Sequence, residues 1–485
     1  MRLLWIGDVG PTGFGTVTYE VGSRLIALGE DVRFVSQNDL GSTVPAVFIP
    51  RTLSMPSLIA SINELTGEEG VLGPSTVVAD LLNGTCRVPL ANGEPWGDWK
   101  PEAVILLGDI VAARMLVSLT PVFGTLPTWH YVPIEGRSLS PLLAGDLWSV
   151  TRPVAMSNFG ADEIAKVTGK RPPMIYHGVD SDTFHPIKPS NPVTLPGKSG
   201  ALVTLRTRDE CKKMWSAYFA TKIPGRRDAD GNPRSDKWLL RTDRHMPRKL
   251  YNALLRSMVP VLAMNPEAVL ILHCRSSDQG GSLPDSVAKM PQAERISGED
   301  DLSKPESWSL FGRPYAQVVL TNTTGLPREA LVTLYNAADV YVSNSAEGFG
   351  LTIAEALSCG IPAVGLDYSA VPEVIGPAGK VVAVAHEFDN EYDHMWATVD
   401  EQAFGQTVHD LLNNPEQRMA LGRKGPRHIR ANFRWDTAAA AFRSLLTSQE
   451  VAWHPSPPSP TFEISSASPA PPASSAPASL VATSS

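Results

Sequence analysis

The chain has 485 residues, of which 43% are hydrophobic and 19% charged, and its formal net charge is −8. That length suits two to three domains, each with a core of its own. The acidic balance argues against broad non-specific binding of nucleic-acid backbones, no run of about 20 apolar residues marks a transmembrane helix, and four scattered cysteines without CxxC spacing suit free thiols in a reducing cytoplasm rather than a zinc site.

The opening residues, MRLLWIGD, carry an apolar run too short for a secretory signal, and residues 3–6 are predicted to form a buried first strand. Residues 7–15, GDVGPTGFG, lead from it into a helix predicted over 17–28, where Val17, Val21, Leu25 and Leu28 recur at helical spacing before Gly29. The glycine spacing there is not the G-x-G-x-x-G of a dinucleotide fold, which disfavours a nicotinamide-dependent oxidoreductase. Strands are predicted at 32–35 and 104–107; segment 80–100 reads as a first-domain excursion. The stretch 129–136, WHYVPIEG, contains His130 and Glu135.

Prolines at 186, 189, 192 and 196 suggest an interdomain linker over 186–200. Beyond it, strands are predicted at 239–240, 269–272, 318–320, 340–342 and 363–366, with helices at 249–263, 328–337 and 353–358. Strands interleaved with helices imply parallel sheets in doubly wound α/β domains, and fully apolar strands imply sheets covered on both faces. An insertion over about 206–236 starts with an amphipathic helical stretch (210–222) and continues into Asp228-Ala229-Asp230-Gly231-Asn232. A calcium loop would need a glutamate at its twelfth position, which is Leu239, so a polar turn is expected and no metal site is assigned. A last helix is predicted over about 434–446, and the Pro/Ser/Ala-rich tail 454–485 cannot bury enough apolar area to order itself.

The most informative stretch is 336–365, NAADVYVSNSAEGFGLTIAEALSCGIPAVG. A strand runs into Glu347-Gly348-Phe349-Gly350 and then into a helix starting near Leu351. Glycines before a helix let the backbone approach a ligand, and the helix N-terminus offers free N–H groups and a positive dipole end to an anion such as a diphosphate. Glu347 and Glu355 are expected to share one cleft, as acceptors for sugar and ribose hydroxyls.

Glu347 and Glu355 within EGFGLTIAEALSCGIPAV resemble the signature of retaining GT-B glycosyltransferases of family four, also called group 1. The resemblance continues through 324–331 (TGLPREAL), 334–340 (LYNAADV) and 176–186 (YHGVDSDTFHP), and spans about residues 1–450. It implies two Rossmann-like domains facing a cleft: an acceptor-side domain over 1–187, a nucleotide-sugar-binding domain over 188–433, and a last helix (about 434–450) packing back on the first. It implies that Arg244 and Lys249 hold the donor diphosphate and that Gly325 and Leu326 flank the nucleobase. It also implies that the loop containing Gly13, Phe14 and Gly15 closes over the phosphates, and that His130 points at the donor sugar, with Glu135 as an alternative acceptor-side carboxylate. Fixed cations beside a departing diphosphate stabilise the charge that develops on it. The resemblance further implies a nucleotide-diphosphate sugar as co-substrate, no cofactor and no metal. The loop, insertion and tail also resemble glycosyltransferases of bacterial viruses, some of which act on modified DNA bases or virion proteins. The alternative is a sugar-nucleotide-binding protein without transferase activity.

Overall fold

The computed structural model describes residues 1–10, 12–36, 51–54, 90, 92–112, 126–150, 152–197, 200–222, 237–297, 305–321, 326–390 and 394–447. The tail 454–485, the second half of the insertion with its Asp228–Asp230 motif, residues 80–89 and Gly325 lie outside the described residues.

Among the described residues the first sheet has six strands: β1 (Arg2–Gly7), β2 (Asp31–Ser36), β3 (Thr52–Ser54), β4 (Ala103–Leu107), β5 (Thr128–Val132) and β6 (Arg152–Ala155). They are parallel throughout and lie in the order β3-β2-β1-β4-β5-β6. Leu3, Leu4 and Trp5 are fully buried, and so are Val104, Ile105 and Leu107, because helices cover both faces. Helix α1 (Gly13–Ala27) buries Val17, Val21 and Leu25 against this sheet, and α2 (Asn158–Thr168) follows β6.

The proline-rich segment is not a bare linker. Within it β7 (Val193–Pro196) pairs antiparallel with β8 (Leu202–Leu205). Val193 and Leu195 turn inward onto the second core while Thr194 and Pro196 face out, and Pro196 closes the strand, where a missing N–H costs little. Helix α3 (Arg208–Lys222) then packs beside the second sheet.

That second sheet contains β9 (Lys237–Arg241), β10 (Ala268–Leu272), β11 (Glu294–Ser297), β12 (Glu306–Ser309), β13 (Val318–Leu320), β14 (Val340–Ser343), β15 (Ala363–Leu366) and β16 (Gly379–Val382). Its order is β11-β12-β13-β10-β9-β14-β15-β16. The run β13-β10-β9-β14-β15-β16 is parallel and repeats the winding of the first sheet; β11 and β12 are antiparallel additions at one edge. The helix predicted from residue 249 starts instead at Tyr251 (α4, Tyr251–Met264), because Leu250 adopts a left-handed φ of 51° after a 3-10 turn at Pro247–Lys249. Helices α5 (Arg328–Ala337) and α6 (Leu351–Ser358) flank β14 in sequence, and a hairpin of β17 (Val384–Asp389) and β18 (Met395–Val399) stands outside the sheet.

The chain crosses between domains twice at one place. Val179 N–H donates to the Phe433 carbonyl at 3.1 Å, and a Cβ on Gly178 would lie 2.1 Å from the Trp435 nitrogen. After the return crossing, α7 (Trp435–Thr447) packs on α1 and places Trp435, Ala438, Phe442 and Leu446 in the first domain's core.

Candidate active site in the interdomain cleft

In an open parallel sheet, ligands bind beyond the carboxyl ends of the strands where the winding reverses. In the first sheet that point lies between β1, which leads into Gly7-Asp8, and β4, which leads into Gly108-Asp109. In the second it lies between β9, which leads into Asp243 and Arg244, and β14, which leads into residues 344–347. The two points face each other across a cavity of about 530 Å3, a size suited to a small-molecule ligand. Asp8, Gly13, Phe14, Asp109 and Glu135 line one side; Asp243, Arg244, Arg248, Lys249, Glu347 and residues 348–352 line the other.

Glycines set the width of this cleft. A Cβ on Gly15 would fall 1.7 Å from the Gly10 carbonyl oxygen, so the first loop folds tightly onto the start of α1. Asp8 braces it, accepting from Gly10 N–H at 2.8 Å and from the Thr12 hydroxyl at 2.5 Å. Across the cleft a Cβ on Gly348 would lie 2.4 Å from Pro133 Cβ, so the two domains touch at a residue without a side chain. Gly350 takes φ 99° and opens α6 without any side-chain cap, leaving its first N–H groups for a partner at the cavity wall.

The second-domain wall is a charged network. Lys249 is buried; its Nζ donates to Glu347 Oε1 at 2.5 Å and lies 3.2 Å from Asp243 Oδ1. Arg248 Nη1 bridges the domains, 3.0 Å from Glu135 and 3.3 Å from Glu347. Behind them Arg241 is fully buried and ties the ends of β9 and β14 together, reaching Asp243 (3.1 Å), Asn344 (2.5 Å) and Ser345 (2.9 Å). Burial raises the Asp243 pKa, but Lys249 and Arg241 outweigh it and pull that carboxyl below its usual range. Burial pushes Glu135 up to about 7, against the pull of Arg248. Burial also raises Asp109, again opposed by Arg248.

The expected site residues divide. Arg244, Lys249, Glu347, Gly348, Phe349, Gly350, Leu351, Gly13 and Phe14 border the cavity, and Gly15 lies just behind it. Leu326 packs on the second core away from the cavity. Glu355 lines a small adjoining pocket with Glu20, Asp180 and Arg328, reached past Leu351; Tyr335 O–H donates to it at 2.9 Å, and burial pushes it up to about 7.

His130 is a correction. It sits fully buried in the middle of β5, with Nε2 3.0 Å from the Gly108 carbonyl, and does not border the cavity. Burial lowers its pKa to about 4, so it is a neutral core histidine. The strand ends two residues further, at Val132, and the chain then meets the cleft at Pro133 and Glu135. The sequence reading assigned no site role to Arg248, Asp243 or Asp109; only their places beside Lys249 and at strand ends could have pointed to them. It also gave none to His394 and Trp396, which line the cavity from the β17–β18 hairpin.

Residues 316–428 match the family described as glycosyl transferases group 1. D-inositol 3-phosphate glycosyltransferase of Segniliparus rotundus is 30% identical over 214 residues, covering 43% of this chain and 40% of that protein. O-antigen chain mannosyltransferase B of Escherichia coli is 36% identical over 107 residues, covering 22% and 27%. The chain thus spans less than half the length of these curated relatives. Among solved structures, sucrose-phosphate synthase from Thermosynechococcus elongatus superposes with a TM-score of 0.57 at 14% identity, covering 92% of this chain and 98% of that one. Anabaena HepE in complex with UDP and glucose superposes at 0.58 and 11% identity, covering 92% and 99%. These likenesses establish the fold as GT-B. Among the described residues no helix is long and apolar enough to cross a membrane.

Proposed function

We propose that this chain, which carries a group 1 glycosyltransferase domain within a GT-B fold, transfers a glycosyl group from a nucleoside-diphosphate sugar to an acceptor, with retention at the anomeric carbon. The observation that carries this is the convergence of Arg244, Arg248, Lys249 and the uncapped start of α6 on one cavity, opposite Asp109 and Glu135. Such a wall suits a leaving diphosphate, because preorganised cations and N–H dipoles stabilise negative charge where it develops.

In this reading the acceptor oxygen attacks the anomeric carbon on the face from which the diphosphate departs. The bond to the phosphate oxygen breaks as the new glycosidic bond forms, and the acceptor's proton passes to a diphosphate oxygen. Glu347, held by Lys249 and Arg248, orients the sugar hydroxyls, and Glu355 is assigned to the ribose hydroxyls, for which its side pocket of about 10 Å3 must widen. Arg244, Arg248 and Lys249 supply the positive charge, so transfer is expected to persist with a chelator present. UDP and GDP donors are the first to try: HepE was solved with UDP, and relatives of this chain include a GDP-mannose-dependent mannosyltransferase of Corynebacterium glutamicum.

The test is a panel of nucleotide sugars assayed for nucleoside-diphosphate release with and without candidate acceptors, the product's anomeric configuration then being read by NMR. Lys249→Ala is expected to lower kcat/KM by about 10^2-fold or more with the active donor. Unchanged turnover in that variant rejects the assignment of the cationic wall, and binding without turnover across the panel leaves a sugar-nucleotide-binding protein.

A further inference from the structure

Arg244 borders the cavity with its side chain 57% exposed, yet it is not free to rotate. Its Nε donates to Asp278 Oδ2 at 2.8 Å and its Nη2 to Asp278 Oδ1 at 3.1 Å, a two-point contact along one edge of the guanidinium. Asp278 itself is shielded, at 8% side-chain exposure, and is fixed in turn by the Gln279 N–H at 2.8 Å. It sits on a two-residue antiparallel ribbon, Ser277–Asp278 against Gly281–Ser282. That ribbon is pinned to the segment carrying Arg244: Gly280 N–H donates to the His245 carbonyl at 2.9 Å, and a Cβ on Gly280 would lie 2.5 Å from the His245 ring.

A guanidinium has five N–H donors. Asp278 takes one on Nε and one on Nη2, which leaves both donors of Nη1 and one of Nη2; one donor from each of these two nitrogens lies along the terminal edge. That edge can still form a second two-point contact with a phosphate group.

From this donor count we propose that Asp278 is a positioning residue for the donor diphosphate, locking the Arg244 guanidinium so that its free edge meets a phosphate oxygen pair. The assignment rests on the function proposed above, since it needs a diphosphate in the cleft. A flexible arginine pays rotamer entropy when it captures an anion; one already held by a carboxylate pays less. The ribbon therefore acts on affinity for the phosphates, not for the base.

The experiment measures binding of UDP, GDP, uridine and guanosine to the full chain by calorimetry, for wild type, Asp278→Ala, Arg244→Ala and the double variant. For whichever diphosphate binds, Asp278→Ala is expected to weaken affinity about tenfold, leaving the matching nucleoside unaffected. The double variant is expected to bind no worse than Arg244→Ala, since Asp278 acts through that arginine, and Asp278→Glu to recover part of the loss. Equal or tighter diphosphate binding by Asp278→Ala overturns the proposal, marking Asp278 as a competitor for Arg244. An equal loss for nucleoside and diphosphate overturns it too, as the mark of a merely structural role. If Arg244→Ala weakens the diphosphate and Asp278→Ala does not, only the positioning role falls. If none of UDP, GDP, ADP and the other nucleoside diphosphates of the donor panel binds the wild-type chain, the proposed function falls with it.

Discussion

Among the described residues, Glu135 and Glu355 are carboxyls that the fold pushes up to about 7, chiefly by burial. In an unfolded chain a glutamate gives up its proton near pH 4.3. Between that pH and about 7 the folded state holds these protons more tightly than the unfolded state does. Stability contributed this way is full at low pH and is lost as pH rises through 7. Glu355→Gln is therefore expected to melt at a temperature less sensitive to pH between 5 and 8 than wild type, in scans at fixed ionic strength. Identical pH slopes in the two proteins would remove the shift. At this scale chemistry and spacing pointed to Glu347, Arg244 and Lys249, and all three border the cavity; the roles given them above are proposals. His130 failed for a physical reason. Histidine in an otherwise apolar strand looks like a functional group, but the Gly108 carbonyl satisfies one ring nitrogen inside the sheet, and only the backbone path separates that position from Glu135.

Elements decide how near the two walls come. Gly348 faces Pro133 across the cleft, and a methyl group there would lie 2.4 Å from the proline Cβ. Neither residue has a long flexible side chain to fold away, so the domains must shift by a fraction of an ångström or more. Gly348→Ala is accordingly expected to lower kcat/KM by roughly 10–100-fold with little change in melting temperature, since misplacement on this scale costs catalysis far more than stability. Gly350→Ala, at φ 99°, is the contrasting case, expected to lose about 1–2 kcal/mol of stability through backbone strain. A normal kcat/KM in the first variant would mean that the contact does not set the cleft's width. The apolar runs that became β1, β4, β10, β14 and β15 were legible because buried parallel strands admit little else. The antiparallel β11 and β12 and the β17–β18 hairpin were not, because polar residues such as Glu294, Glu306 and His386 interrupt their pattern.

At the scale of the whole molecule, the second domain supplies the cations and the first supplies the opposing rim, so function depends on how one lobe is held against the other. Phe442 of α7 sits 4.9 Å from the Tyr131 ring and 6.0 Å from the Trp5 ring, deep in the first domain's core. That core is thus completed by residues distant in sequence, and the first lobe cannot reach full packing until the last helix has returned to it. Removing a buried aromatic side chain costs about 3–5 kcal/mol, and here the loss falls on the lobe that does not contain the cationic wall. Phe442→Ala is therefore expected to split thermal unfolding into two transitions, the earlier one belonging to the first lobe. Nucleoside-diphosphate protection should persist in the later transition, because the cations and α6 belong to the second lobe. A single transition shifted as a unit would mean instead that the adjoining crossings at 178–179 and 433–435 bind the lobes into one cooperative body, and that α7 stabilises both equally.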